Sequence, residues 1–445
     1  MSAQLEIQQR LTCPSCWAVL QPDELLWVSG HPDLRGDEFL GEDALKRFMP
    51  SRFDVDGFAL DVNGSRCQSL ACPKCHLTIP RILVEFKPLF VSVLGAPSSG
   101  KSYFLASTIW QTRQRLRSFH VDFADADPVA NQVISGYEQK LFLSEDPDQF
   151  VAIPKTELDG ELYQMVNYGS HQELYARPFV FSVRPGRDHV HLSNVKSPRL
   201  SSRALCLYDN AGEHFQPKQE AEISPATDHL ALSEALLFVF DPLQHPRFRE
   251  RCRNHSADPQ LSGSFQCHRQ DEILLEAAKR IRQKANLAQH EPFAKPLIVV
   301  VNKSDVWAPL ADEVLLTEKQ PFRQTRSGSW AVDYAAIKSV SESVRELCEE
   351  LSPELISACD SFCSDVIFVP VSPQGCSPER SDASVNLLGV RPRTLKPHWA
   401  EVPLLYAMSR AKCNLVPGGI PKGGAKAKRE LPDEPDADLR VFKGA

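Results

Sequence analysis

The chain has 445 residues, 42% of them hydrophobic and 24% charged, and a formal net charge of −7. That length fits two or three structural units of about 100–200 residues each, and the balance excludes a disordered, collagen-like or coiled-coil chain. The acidic excess argues against bulk binding of nucleic acid.

The first residues lack the basic start and apolar stretch of a secretory signal. No apolar run approaches the ~20 residues that span a bilayer, so the expected setting is cytoplasmic. Thiols stay reduced there, and paired cysteines among the 13 present read as metal ligands before disulfides. Residues 1–85 carry two such pairs, Cys13-Pro-Ser-Cys16 and Cys72-Pro-Lys-Cys75, among turn signals and few periodic runs. A small loop-rich unit needs a staple. Two CxxC turns can close four thiolates around Zn²⁺ in a structural tetrahedron. The pairs lie farther apart than the usual ~15–20 residues, which loop-closure entropy tolerates because it grows slowly with length. Cys67 and His76 are nearby substitutes for one ligand, and redox or packing roles are the alternatives to zinc. The stretch between the pairs holds Glu24, Asp33, Asp37, Glu38, Glu42 and Asp43, so docking of a partner is favoured over binding of nucleic acid.

Residues 86–413 alternate short apolar runs with helical patterns. The runs are Leu89–Leu94, Phe179–Val183, Ala204–Tyr208, Leu236–Phe240, Leu297–Val301 and Val366–Val371. Near-continuous apolar runs of this length are strands buried on both faces. Helices are predicted over Ser102–Phe119, Asn131–Leu143, Asp271–Leu287 and Tyr334–Leu351. The expected fold is therefore α/β, a mainly parallel sheet with helices on both faces. Residues 414–445 are rich in Gly and Pro and carry Lys422, Lys426, Lys428 and Arg429; a tail without a core is expected there.

The first strand runs into Gly95, Ala96, Pro97, Ser98, Ser99, Gly100, Lys101 and Ser102, and a helix with Tyr103 in its first turn follows. This is GxxxxGK[ST] in its strand–loop–helix setting, a P-loop. Its glycines let backbone N–H groups converge on phosphate oxygens, and the helix N-terminus adds a positive dipole end. Lys101 is placed to contact the β- and γ-phosphates, and Ser102 to bind Mg²⁺. Ala204–Tyr208 ends in Asp209-Asn-Ala-Gly212, or DxxG. Asp209 can hold Mg²⁺ through water, and Gly212 can bring its N–H to the γ-phosphate, so loss of that phosphate releases the loop. Leu297–Val301 ends in Asn302-Lys303-Ser-Asp305, or NKxD. Asp305 can accept from the two N–H groups of guanine, a discrimination of roughly 10⁴-fold against adenine. The Lys303 stem can cover the base, and Asn302 can tie this loop to the P-loop.

P-loop, DxxG and NKxD, in this order on successive strands, resemble the TRAFAC-type P-loop GTPases. The resemblance implies GTP and GDP as ligands, Mg²⁺ as cofactor and slow hydrolysis to GDP and phosphate. It implies a base contact at Ser372, in a Ser-Pro-Gln sequence where the family has Ser-Ala-Lys, and a switch threonine at Thr156, in Ile153-Pro-Lys-Thr156. At the family's catalytic glutamine this chain has Glu213, followed by His214. Either can handle the attacking water, while the Glu213 charge opposes the γ-phosphate and leaves a non-hydrolysing GTP-bound scaffold as the alternative function. A GTPase associated with nucleic acid is a further alternative. The zinc-ribbon-like start followed by this GTPase layout is similar to the bacterial double-GTPase families of conflict and defence systems. That likeness implies a switch within a multiprotein system, GTPase-associated partners or effectors, and nucleotide-dependent dimerisation as one way to complete the site. A second cluster, Cys252, His255, Cys267 and His268, is a candidate for another metal.

Overall fold

The computed structural model describes residues 7–154, 162–190, 201–210, 225–262, 267–311, 319–325, 328–381, 384–411 and 413–419. Seven strands form the central sheet: β1 (Lys87–Gly95), β2 (Val121–Asp125), β3 (Phe179–Pro185), β4 (Arg203–Asp209), β5 (Ala235–Phe240), β6 (Leu297–Val301) and β7 (Val366–Pro370). Their order is β2-β3-β4-β1-β5-β6-β7. The pairs β4/β1, β1/β5, β5/β6 and β6/β7 are parallel, while β2/β3 and β3/β4 are antiparallel. The described fold is thus mixed α/β around a mostly parallel sheet. All six apolar runs named above are strands of it.

Strands β5 and β6 are buried at every residue, as a strand covered on both faces must be. The strand not anticipated, β2, lies at the sheet edge. It reads Val-Asp-Phe-Ala-Asp and buries only Val121, so it lacks the apolar continuity that marks a central strand. Flanking helices are α1 (Lys101–Arg115), α2 (Gln132–Phe142), α3 (Gln270–Ala285), α4 (Tyr334–Leu351), α5 (Pro353–Phe362) and α6 (Val402–Arg410). The α1 helix ends earlier than predicted, because Leu116–Phe119 tightens into a 3-10 turn. The start of α4 coincides with its prediction because Asp333 caps it, accepting from the Ala335 and Ala336 N–H groups at 3.0 Å.

The N-terminal unit is built of short hairpins. Leu11–Thr12 pairs with Val19–Leu20, and Leu70–Ala71 with Thr78–Ile79. Each hairpin carries one CxxC turn at its tip. The chain beyond 413 continues into the packed structure: Leu415 and Val416 are buried, and Gly418–Gly419 pairs with Val332–Asp333. Residues 420–445, with the basic cluster, lie outside the described residues. Among the described residues, no helix is long and apolar enough to cross a membrane.

Candidate functional site

The P-loop joins β1 to α1 at the carboxyl end of the parallel strands, where open α/β sheets bind ligands. Two glycines shape it. A Cβ at Gly95 would lie 2.5 Å from the Val239 carbonyl oxygen of β5. Gly100 has φ +88°, the left-handed region that side chains disfavour. Lys101 is only 7% exposed; its Nζ donates to the Gly95 and Ala96 carbonyl oxygens at 3.0 and 2.8 Å. The cation is thereby held inside the loop that its sequence predicts will receive phosphate.

The loop after β6 meets this cradle. Asn302 Nδ2 donates to the Ser99 carbonyl oxygen at 2.8 Å, which is the tie anticipated between the two loops. The Asn302 carbonyl oxygen accepts from Trp307 Nε1 at 2.7 Å. Lys303 adopts φ +58°, and its Nζ donates to Asp241 Oδ2 at 2.5 Å and to Gln260 Oε1 at 2.6 Å. Asp241, just past β5, is buried, so the lysine's charge is tied to a buried carboxylate.

Ser372 follows β7. Its hydroxyl donates to Asp305 and accepts from the Gly375 N–H at 2.8 Å. Ser107 of α1 fixes the same loop by donating to the Pro373 carbonyl oxygen at 2.7 Å. Ser372 therefore orients the Asp305 carboxylate. Asp305 is open to the solvent in the pocket but closely surrounded by protein. That confinement pushes its carboxyl up, against the opposing pull of the Ser372 hydroxyl.

These elements enclose a cavity of about 470 Å³, lined by Ser98 to Tyr103 of the P-loop and by Asn302, Lys303, Asp305 and Ser372. Small-molecule sites span roughly 300–1,000 Å³. The lining thus brings the P-loop and its Lys101 cation together with the confined Asp305 carboxylate. Ile153 and Pro154 contribute to the wall, and the Ile153 N–H donates to the Tyr103 hydroxyl at 3.1 Å. Asp209 ends β4 in register with Val93 of β1, two residues before Gly95. Thr156, Gly212, Glu213 and His214 lie outside the described residues.

Several lining residues were missed from the sequence. Asp241 and Gln244 sit just past β5, and Gln244 Nε2 donates to the Pro97 carbonyl oxygen at 3.0 Å. Asp258 and Gln260 come from the segment between β5 and β6, in which only Cys252, His255, Cys267 and His268 stood out in sequence. Burial pushes the Asp258 carboxyl up. Only the polar residue closing a strand, as at Asp241, offered a signal.

The four cysteines of the two CxxC turns converge. Cys13 Sγ lies 3.9 Å from Cys75 Sγ, Cys16 Sγ lies 3.6 Å from Cys72 Sγ, and all four fall within 4.8 Å of one another. A tetrahedron with Zn–S of about 2.3 Å has edges of about 3.8 Å, so the sulfurs fit a tetrahedral zinc site. The turns share one geometry. Trp17 and His76, each following the second cysteine of its pair, adopt φ +62° and +58°. The crowded thiols share their protons unequally: contact with Cys16 pushes Cys13 up and contact with Cys13 pushes Cys75 up, while the same contacts pull Cys16 and Cys72 down. A bound dication would favour the thiolate at all four.

The substitutes named from the sequence do not join the cluster. His76 Nδ1 bonds instead with Asp37 Oδ2 at 2.8 Å, and Cys67 is buried apart. The second candidate set is not assembled either. Among the described residues, only Cys13, Cys16, Cys72 and Cys75 form a group of metal-ligand type. Cys252 is buried, its thiol pushed up to about 12 by that burial; Cys267 accepts from Arg249; and His268 faces the nucleotide-type cavity.

No family model matches the chain, and no curated protein matches it. Among solved structures it is similar to Era in complex with MgGDPNP and a segment of 16S ribosomal RNA, at 13% identity and TM-score 0.23, over 65% of this chain and 52% of that one. A variant of Aquifex aeolicus Era bound to GDP·AlF4⁻ gives 13% and 0.21, with coverage of 65% and 52%. The GTP-bound S. cerevisiae Ski7 GTPase-like domain gives 12% and 0.28, with coverage of 75% and 52%. The chain spans about half the length of these solved chains.

Proposed function

We propose that this protein is a GTP-binding switch with slow Mg²⁺-dependent hydrolysis, of the TRAFAC type. One observation carries the reading: the P-loop and the Asn302–Asp305 loop are bonded to each other around one cavity through Asn302 and Ser99, 203 residues apart in sequence. Lys101 and the loop N–H groups hold the phosphates. Asp305, set by Ser372, accepts from guanine. Lys303, held by Asp241 and Gln260, lies along the base. Ser102 would bind Mg²⁺ directly and Asp209 through water, with Thr156 joining in the GTP state; Mg²⁺ would neutralise charge on the phosphates. Glu213 or His214 handles the water. The cysteine cluster is a structural zinc site.

The setting is cytoplasmic, with partners of the GTPase-associated kind found in bacterial conflict or defence systems. The resemblance in layout supports this part, together with an acidic N-terminal unit suited to docking protein. Glu213 in place of glutamine favours a second reading, a GTP-locked scaffold.

The test is nucleotide identity in freshly purified protein, then single-turnover GTP and ATP hydrolysis beside Lys101→Ala. GTP turnover lost in the variant supports the switch. Tight GTP binding without turnover supports the scaffold. A preference for ATP, or no nucleotide binding, refutes both.

A further inference from the structure

A file of polar side chains runs through the core from the first CxxC turn to the start of DxxG. Ser92 interrupts the apolar β1 strand, and Ser92, Asn210, His229 and Ser233 are all 1% exposed or less. Ser233 Oγ lies 2.6 Å from Ser92 Oγ, and Ser92 Oγ lies 2.6 Å from His229 Nδ1. His229 Nε2 lies 3.1 Å from Asn210 Oδ1. The Asn210 backbone N–H donates to the Val93 carbonyl oxygen at 3.2 Å. With a proton on His229 Nε2, every bond in the file has a donor and an acceptor.

The file continues outward through Tyr208. Its ring stacks on His229, with centroids 4.3 Å apart and planes 7° apart. Its hydroxyl donates to the Pro14 carbonyl oxygen at 2.5 Å. Pro14 lies between Cys13 and Cys16, and Trp17, just past the turn, packs on Phe90 and Tyr208. Burial pushes the Tyr208 hydroxyl far up, so it stays a donor. A phenylalanine would fill the same core without needing a partner. Buried polar groups of this kind fix one arrangement at a cost that apolar residues avoid. Here the arrangement fixed is that of Asn210, the residue after Asp209, against a turn whose shape depends on its cysteine ligands.

We propose that Tyr208 and His229 are positioning residues that couple the four-cysteine zinc site to the switch, so that metal in the cluster raises the preference for GTP over GDP. The inference rests on the GTP-binding reading above. Coupling between sites is reciprocal: if zinc favours GTP over GDP, GTP must tighten zinc by the same factor.

The experiment uses the full chain. Zinc affinity is measured by competition with a chelator, in excess GDP and in excess of a non-hydrolysable GTP analogue. Affinities for both nucleotides are measured on the zinc-loaded protein. In the wild type, zinc is expected to bind at least about 5-fold tighter with the GTP analogue, the low end of ordinary coupling. Tyr208→Phe is expected to bind GDP as the wild type does, to lose most of the GTP preference, and to bind zinc equally in both nucleotides. Equal zinc affinity in both nucleotides in the wild type, with both nucleotides bound, overturns the coupling and leaves the GTP reading intact. Absence of binding by either nucleotide overturns that reading and the coupling with it. Should Tyr208→Phe not fold, the wild-type pair of zinc affinities alone decides.

Discussion

Asn302 spans the gap between the loop after β6 and the P-loop by bonding to the Ser99 carbonyl oxygen, and a Cβ on the residue after Ser99, Gly100, would displace it. A Cβ at Gly100 would lie 2.7 Å from the same Asn302 Nδ2. Gly100→Ala therefore meets two penalties: a left-handed φ, costing about 1 kcal/mol, and displacement of Asn302. The expected result is a nucleotide affinity lower by at least about 10-fold, read by titration with a fluorescent guanine nucleotide. Wild-type affinity in this variant would show that the two loops need not be joined.

Lys303 and Asp241 form an ion pair in which the carboxylate is almost wholly buried, with 1% side-chain exposure against 15% for the lysine. Removing one partner strands a buried charge, at about 3 kcal/mol or more. Lys303→Met is expected to destabilise the nucleotide-free protein by that order in a denaturant melt. Asp241→Asn combined with Lys303→Met is expected to recover most of the loss. No recovery in the double variant would assign the effect to packing of the lysine stem.

Central strands and the P-loop were legible because their signals are local. Leu236–Phe240 and Leu297–Val301 are continuous apolar runs, and Gly95–Ser102 is one unbroken motif. Edge strand β2 was not, since Asp122 and Asp125 break its apolar character where solvent tolerates them. In the site, Asn302, Lys303 and Asp305 were legible as a string, but their partners were not. Gln260 reaches Lys303 only because the chain between β5 and β6 folds back over the cavity, and no spacing records that. The four cysteines were readable as two pairs; that His76 does not replace one depended on Asp37 holding it elsewhere, and Cys67 turns its thiol to the Ser65 carbonyl oxygen. Tyr208 was legible only as the end of an apolar run and His229 carried no signal, since the hydroxyl's partner, Pro14, is 194 residues away in sequence.

The sulfur geometry of the cysteine cluster predicts about one zinc per chain in protein purified without chelator, measured by elemental analysis. Cys72→Ser is expected to lose most of that metal and to lower the unfolding temperature. A strong chelator should lower the wild-type value towards the variant's and leave the variant's nearly unchanged. Metal-free protein with Cys13–Cys16 and Cys72–Cys75 disulfides would overturn the zinc assignment.

Under the proposed base contact, Asp305 sets function against stability. Its carboxyl is raised above the ordinary 3.8, with confinement by surrounding protein as the main cause. The folded chain therefore holds this proton more tightly than the unfolded chain does. The stability the group contributes is fully present below the unfolded value and is lost as pH rises through the folded one. At neutral pH the charged Asp305 costs stability, which a guanine supplying two N–H donors would offset. Asp305→Asn is expected to raise the melting temperature of the nucleotide-free protein at pH 7, with a gain that shrinks as pH falls through the raised carboxyl range. The same variant should lose guanine-nucleotide affinity by about 10²–10⁴-fold, because the amide keeps only one acceptor. Thermal melts across pH, with and without GDP, check both halves. A variant that is neither more stable nor impaired in binding would show that Asp305 does not face the base.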